Sequence, residues 1–125
     1  MGGKLRANGA ARVTADGLAL QATQVPNGPG LYFQGTSLMS AGAGIPFGDG
    51  LLCAGGSIVR LGVVFASSNA STYPRTGIDP IVSLQGANAA GDTRSYQVWY
   101  RDSDVSFCSS AVFNLTNALT LTWQN

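Results

Sequence analysis

Few residue types in this chain carry reactive chemistry. There are two cysteines, Cys53 and Cys108, and six acidic residues, all aspartate, with no histidine. Without histidine, Ser-His-Asp and Cys-His catalysis are out of reach, and so are zinc sites that use imidazole. Two thiolates cannot complete a four-cysteine zinc or iron–sulfur site within one chain. Cys53 and Cys108 read as buried thiols, as a disulfide, or as a nucleophile with a bystander, and no imidazole is present to activate the third. Asp102 and Asp104, in "RDSD", have the alternate spacing of a calcium loop, and Asp49 joins them if a disulfide brings the two loops together. Calcium takes about six to eight oxygens, so turn capping, with Asp102 paired to Arg101 or Arg60, is the better reading of these carboxylates. Asp49 and Asp102 as a glycosidase pair is weaker still, because Asp49-Gly50 is itself a turn dipeptide. No catalytic residue is expected, and the chain is expected not to be an enzyme. Among the aromatics, Tyr73 and Trp99 are the candidates for an exposed platform that stacks on a ligand, since most aromatics of a β-domain are core. The glycine-rich "CAGGS" precedes a strand and lacks Gly-Lys-Ser/Thr, so it is not a phosphate loop.

The composition limits what surrounds these residues. A chain of 125 residues makes one domain, residues 1–125, with Met1-Gly2-Gly3 reading as a cloning remnant. Charged residues are only 10%, the net charge is +1, and the arginines are scattered, so no nucleic-acid partner is expected. No apolar run approaches a membrane span, and no apolar signal core follows Met1. The low-lysine, Gly/Ser/Thr/Asn-rich composition is that of extracellular β-domains. In that compartment an even cysteine count reads as a disulfide, which over a loop of this length is worth about 4 kcal/mol in the chain-entropy model.

Alternation along the chain is that of strands. In "ARVTADGLALQA" the Asp16-Gly17 pair predicts a two-residue hairpin that sets Ala15 against Leu18, Val13 against Leu20 and Ala11 against Ala22. "VPNGPG" is a turn cluster leading into a short strand, Leu31–Gln34, and residues 36–50 form a small-residue loop. Ser57–Ala66 is expected as the longest strand, central in its sheet, with Val59, Leu61, Val63 and Phe65 on one face. "IVSLQ" predicts a further strand over Ile81–Gln85. In "SYQVWYR", Tyr96, Val98 and Tyr100 face one way and Gln97 and Trp99 the other. In the last strand Leu119, Leu121 and Trp123 share a face. About seven or eight short strands without a helix predict an all-β fold: an antiparallel β-sandwich, jelly-roll or immunoglobulin-like, held by one disulfide.

The stretches "GDGLLCAGGSIVRLG" and "YQVWYRDSDVSFCSSAVFNLTNALTLTW" resemble a β-sandwich domain of unknown function. That domain occurs at the C-terminal ends of secreted and surface proteins of planctomycetes and myxobacteria. The similarity runs from about Leu18 to Trp123 and is carried by D-G-x-x-C-x-G-G, Y-Q-x-W-Y-R-D, F-C and F-N-L-T-N-x-L. The resemblance implies an extracellular or cell-surface location, a bond between Cys53 and Cys108, and no known reaction. In such proteins the domain ends a longer chain.

The expected function is a non-catalytic extracellular structural or interaction module that self-assembles through strand edges, with Lys4–Ala7 and Leu119–Trp123 as the candidate edges. The alternative is a carbohydrate-binding, adhesin-like module using Tyr73 or Trp99, assisted by calcium at Asp49, Asp102 and Asp104. Its partners are then surface glycans rather than a second copy.

Overall fold

The alternation in "SYQVWYR" is realised in Thr93–Arg101, which at 9 residues is the longest described strand, in place of the Ser57–Ala66 segment expected to be longest, whose strand has 8. A computed structural model describes residues 3–14, 16–38, 45–47, 50–75, 77–101 and 113–124, with backbone alone at residues 45–47, 50, 51, 101, 113 and 114. In chain order the strands are β1 (Lys4–Asn8), β2 (Ala19–Thr23), β3 (Gly28–Gly35), β4 (Ser37–Leu38), β5 (Ile45–Phe47), β6 (Gly50–Leu52), β7 (Ala54–Gly55), β8 (Val59–Ala66), β9 (Ala70–Tyr73), β10 (Thr93–Arg101), β11 (Phe113–Leu115) and β12 (Leu119–Thr122). One helical turn, α1 (Val82–Gln85), precedes β10.

The protein is all-β, and its named strands pair antiparallel. A three-stranded sheet has the order β1-β2-β9. A five-stranded sheet has the order β11-β10-β3-β8, with β12 also on β10. Two small pairs, β4 with β7 and β5 with β6, lie between β3 and β8 in the chain. β11 and β12 pair with successive halves of β10, and the register steps by one residue between them. Thr116 sits at that step; its hydroxyl accepts from the Val98 N–H at 3.0 Å and keeps the ladder satisfied.

One buried cluster draws on both sheets. Leu5, Leu20, Ala22 and Tyr73 come from the three-stranded sheet; Tyr32, Leu61, Val64, Tyr96, Val98 and Tyr100 come from the five-stranded one, and Trp123 closes the end. The sequence-predicted partition of β10 holds, with Tyr96, Val98 and Tyr100 in this cluster. Trp123 is fully buried on the side of Leu119 and Leu121, as the alternation of the last strand requires. A second, smaller cluster of Phe33, Ala54 and Leu115 lies on the opposite face, with Leu52 against it.

Residues 36–50, expected as a loop, hold the short strands β4 and β5. Three further expectations need correction. The Asp16-Gly17 hairpin does not form. β2 pairs with β1 instead, Leu20 opposite Ala7 and Ala22 opposite Leu5. The segment expected to pair with β2 has another partner: the Val13 N–H donates to the Gln124 carbonyl and the Gln124 N–H to the Ala11 carbonyl, both at 2.8 Å. Asp16 does not serve a tight turn; its carboxylate accepts from the Leu18 N–H at 3.0 Å and, far along the chain, from the Ser83 N–H at 2.8 Å. That second bond serves the first turn of α1, where orphan N–H groups need acceptors. Ile81–Gln85 is therefore a capped helical turn rather than a strand, with Val82 buried and Leu84 exposed. A five-residue apolar run does not separate the two by periodicity.

The third correction concerns β8. Within the described sheet it is the edge strand, not a central one. Its pairing to β3 steps from Gly62 opposite Tyr32 to Arg60 opposite Phe33, which leaves Leu61 as the extra residue of a bulge. A bulge inverts the alternation beyond it. Leu61 is buried, and so are Val64 and Ala66, but Val63 is 51% exposed and Phe65 70% exposed.

On β1, the edge expected to pair with another copy is partly taken. The Asn117 side chain accepts from the Leu5 N–H at 2.8 Å and donates to the Leu5 carbonyl at 3.1 Å, so one amide occupies the place of a neighbouring strand.

Candidate functional site

The outer face of the five-stranded sheet, opposite the main core, carries the site. Register places Val63 of β8, Leu31 of β3, Trp99 of β10 and Leu115 of β11 directly opposite one another in a row across four strands. Residues directly opposite in antiparallel pairs project to the same face, so these four form a continuous apolar band. Pro29 and Phe65 make the next pair along β3 and β8 on that face.

The chain between β3 and β8 folds back over part of the band. Two glycines permit the approach. A Cβ on Gly35 would collide with the backbone carbonyl of Gly55, and Gly56 has a φ of 74°, where glycine is favoured. The Thr36 N–H donates to the Gly55 carbonyl at 2.9 Å across this contact. The glycines of "CAGGS" thus serve a close crossing of two backbones.

Gln97 holds the crossing strand down. It is fully buried, and its Oε1 accepts from the N–H groups of Cys53 at 3.0 Å and Ala54 at 3.2 Å. Its Nε2 donates to the Thr116 carbonyl at 2.6 Å. One side chain therefore ties β10, the strand pair above it and the step between β11 and β12. A buried amide with its groups satisfied fixes register, because releasing it leaves donors unpaired away from water.

Between the crossing strand and the sheet lies a cavity of about 430 Å³, within the range of roughly 300–1,000 Å³ usual for small-molecule sites. Leu31, Phe33, Leu52, Trp99 and Leu115 line its apolar walls. Ala54 to Gly56 and Ile58 form the side toward the crossing strand. Among the described residues, Arg60 is the one charged residue of the lining.

The candidate residues fall into three groups. Trp99 is 37% exposed and lines this cavity. Tyr73, expected to be exposed, is fully buried, and that expectation is corrected. Its ring stacks on Tyr32 with centroids 5.7 Å apart, and its hydroxyl donates to the Pro80 carbonyl at 3.0 Å. Burial raises the pKa of Tyr73, with the Asp79 carboxylate adding to the effect, and burial raises that of Tyr32 too. Cys53 lies between β6 and β7, half-buried, with its N–H on Gln97. Cys108, Asp49, Asp102 and Asp104 lie outside the described residues.

The three described aspartates hold loops. Asp16 caps α1, as above. Asp79 takes a two-pronged bond from Arg75, with Nε at 2.8 Å and Nη2 at 2.9 Å, and this holds its carboxyl below the ordinary value. Asp92 accepts from the Ala89 N–H at 2.9 Å and pairs with Arg94 at 3.0 Å. Among the described residues no three His, Cys, Asp or Glu side chains cluster as a metal site, and no helix is long and apolar enough to cross a membrane.

Sequence reasoning overlooked Arg60, Gln97 and Phe65 as site residues. The polar Gln97 on the Trp99 face was a visible signal. Its role depends on which backbone crosses above it, and that no local pattern records. No family model matches this chain, and comparison with curated proteins and with solved structures gives no match.

Proposed function

We propose that the chain is a non-catalytic extracellular module, built as an antiparallel β-sandwich, that associates with further copies of itself through the outer face of β8. The observation that carries this reading is the exposure of Val63 and Phe65 on an edge strand, continuous with the apolar band through Leu31 and Trp99. Large contiguous apolar patches are uncommon on monomeric surfaces and mark interaction sites. An apolar edge strand is also a template for strand addition. The low charge of the chain, net +1, opposes association only weakly.

Support for the sandwich comes from the single core shared by the two sheets. Support for a Cys53–Cys108 bond comes from the chain path: Cys53 follows β6, β6 lies beside β11, and β11 follows the segment carrying Cys108. Intact mass with and without reductant tests the bond; two alkylatable thiols in the unreduced, denatured protein refute it. The extracellular location and the membership suggested by the quoted motifs rest on those motifs and on composition.

Light scattering over a concentration series tests self-association. The wild-type chain should grow in mass as concentration rises, and Phe65→Ser should shift the midpoint at least tenfold higher. A wild-type chain that stays monomeric throughout overturns the reading. The carbohydrate-binding alternative keeps Trp99 as its stacking residue, but the cavity beside it offers sugar hydroxyls few polar side chains. A glycan array with and without chelator tests that alternative and its calcium dependence together; absence of binding in both removes it.

A further inference from the structure

We propose that the cavity beneath the crossing strand binds an amphipathic carboxylate, a molecule with an acyl or aryl tail and one ionised carboxyl group. The inference does not depend on self-association through β8.

Three observations lead to this ligand class. The walls are apolar, with Leu31, Phe33, Trp99 and Leu115 offering a tail side chains to pack against. The volume, about 430 Å³, suits a small molecule. The third observation sets the head group. Among the described residues Arg60 is the single charged side chain of the lining. Among the described residues the two ion pairs belong to Arg75 and Arg94, and the guanidinium of Arg60 has neither a salt bridge nor a hydrogen bond. Its backbone carbonyl, in the β3–β8 ladder, accepts from Gln85 Nε2 at 3.2 Å. A guanidinium presents a planar fork that matches a carboxylate with two parallel bonds, so an unpaired arginine beside an apolar cavity complements an apolar tail ending in that group.

The bulge at Leu61 contributes. The pairing skips Leu61, so Arg60 lies opposite Phe33, a wall of the cavity, while Leu61 itself is buried. The site is held in form before any ligand arrives. Gln97 fixes the crossing strand at Cys53 and Ala54, and the Gly35–Gly55 contact sets its distance from the sheet. A pocket held open by buried hydrogen bonds loses little freedom when filled, which favours affinity for a small ligand.

The test is a titration of the full chain at neutral pH with decanoate and, in parallel, with decan-1-ol, followed by tryptophan fluorescence. Trp99 lines the cavity, whereas Trp123 is fully buried in the other face, so a saturable change reports on Trp99. Decanoate should bind with one site per chain and roughly tenfold more tightly than decan-1-ol, the difference expected of one charge-assisted pair. Arg60→Gln should remove that preference and leave the alcohol unchanged; Arg60→Lys should restore part of it. Leu31→Trp, which fills the cavity, should abolish binding of both, with the unfolding midpoint checked to show that the variant folds. Equal affinity for acid and alcohol in the wild type, or a preference that survives Arg60→Gln, overturns the assignment of the head group. Absence of saturable binding by either ligand overturns the site.

Light scattering on the same samples separates this result from the self-association reading. Loss of oligomers in Phe65→Ser with decanoate binding intact would leave both standing. A monomeric wild type that binds decanoate would remove only the self-association.

Discussion

The inner and outer faces of the five-stranded sheet are built from the same strands and differ in how they are closed. On the inner face Tyr32, Tyr96, Val98 and Tyr100 meet the second sheet and are at most 4% exposed. On the outer face Phe33 and Leu115 are covered by a strand two residues long, while Trp99, Ile58, Val63 and Phe65 stay open to solvent. Polar groups follow the same division. At one end of the inner face the Tyr96 hydroxyl donates to Gln34 Oε1 at 2.8 Å and accepts from Trp123 Nε1 at 2.8 Å, while Asn88 Nδ2 donates to Gln34 Oε1 at 2.8 Å. On the outer face the buried amide of Gln97 ties down the cover, and Arg60 beside the cavity has no ion-pair partner among the described residues. The inner face stabilises the fold; the outer face holds a site open. A buried network with its partners fixes one geometry, whereas apolar surface left in solvent is a cost that an occupant would relieve.

The sharpest contrast is between the two tryptophans. Trp123→Ala should cost about 3–5 kcal/mol in urea denaturation, since it empties a fully buried site and removes the shorter of the two bonds that the Tyr96 hydroxyl accepts, leaving it the one from Asn88 at 3.3 Å. Trp99→Ala should cost less than about 1 kcal/mol, as expected of a half-exposed side chain. Equal losses would mean that the outer face is as tightly sealed as the inner one.

Gln97→Leu comes next, at about 2–4 kcal/mol, because the N–H groups of Cys53 and Ala54 and the Thr116 carbonyl lose a buried partner. Decanoate binding should fall with it. A stable variant that still binds would show that the cover is held by something other than this amide.

The smallest of the three effects is a pH dependence confined to the inner face. Burial keeps the Tyr96 hydroxyl protonated and raises its pKa to about 12, with the bonds from Trp123 and Asn88 pulling the other way. The unfolded value is about 10. The folded value is the higher one, so the stability it represents is complete below about pH 10 and is lost as pH rises through about 12, where unfolding releases a proton that the folded chain retains. Stability should fall by about 2–3 kcal/mol across that window, followed by urea midpoints and phenolate absorbance, and Tyr32 and Tyr73 shift in the same direction. The Trp99 signal of ligand binding should not follow this titration below about pH 10. A fall in stability that begins near neutral pH would contradict the account.

Much of the β framework was legible in the order of residues. The faces of β10, the burial of Leu18, Leu20 and Ala22, and the side taken by Trp123 follow from period-two alternation, because side chains on a strand must take turns. The misread segments share one cause. Asp16-Gly17 had the right turn chemistry, but Ala11–Val13 found a partner in Gln124, a residue at the other end of the chain. Ile81–Gln85 became helical with a cap supplied by Asp16 from a distant loop. In β8 a single bulged residue turned Val63 and Phe65 outward, and a bulge leaves no mark in apolar periodicity.

The candidate site was less legible than the fold. Trp99 was visible as the odd aromatic on β10, while Tyr73 was assigned to the surface although its ring completes the core against Tyr32. Arg60 looked like a break in a strand and Gln97 like an ordinary outward polar residue. The sequence by itself determined the all-β class, the alternation of the long strands and the absence of imidazole chemistry. These depend on composition and on the two-residue repeat of a strand, which are local properties. Only the tertiary structure decided which backbone crosses above Gln97, where the bulge falls and which arginine stands beside a cavity. Each of those depends on residues far apart in the chain meeting at one place, and pairing over such distances is settled by the packing of the whole molecule.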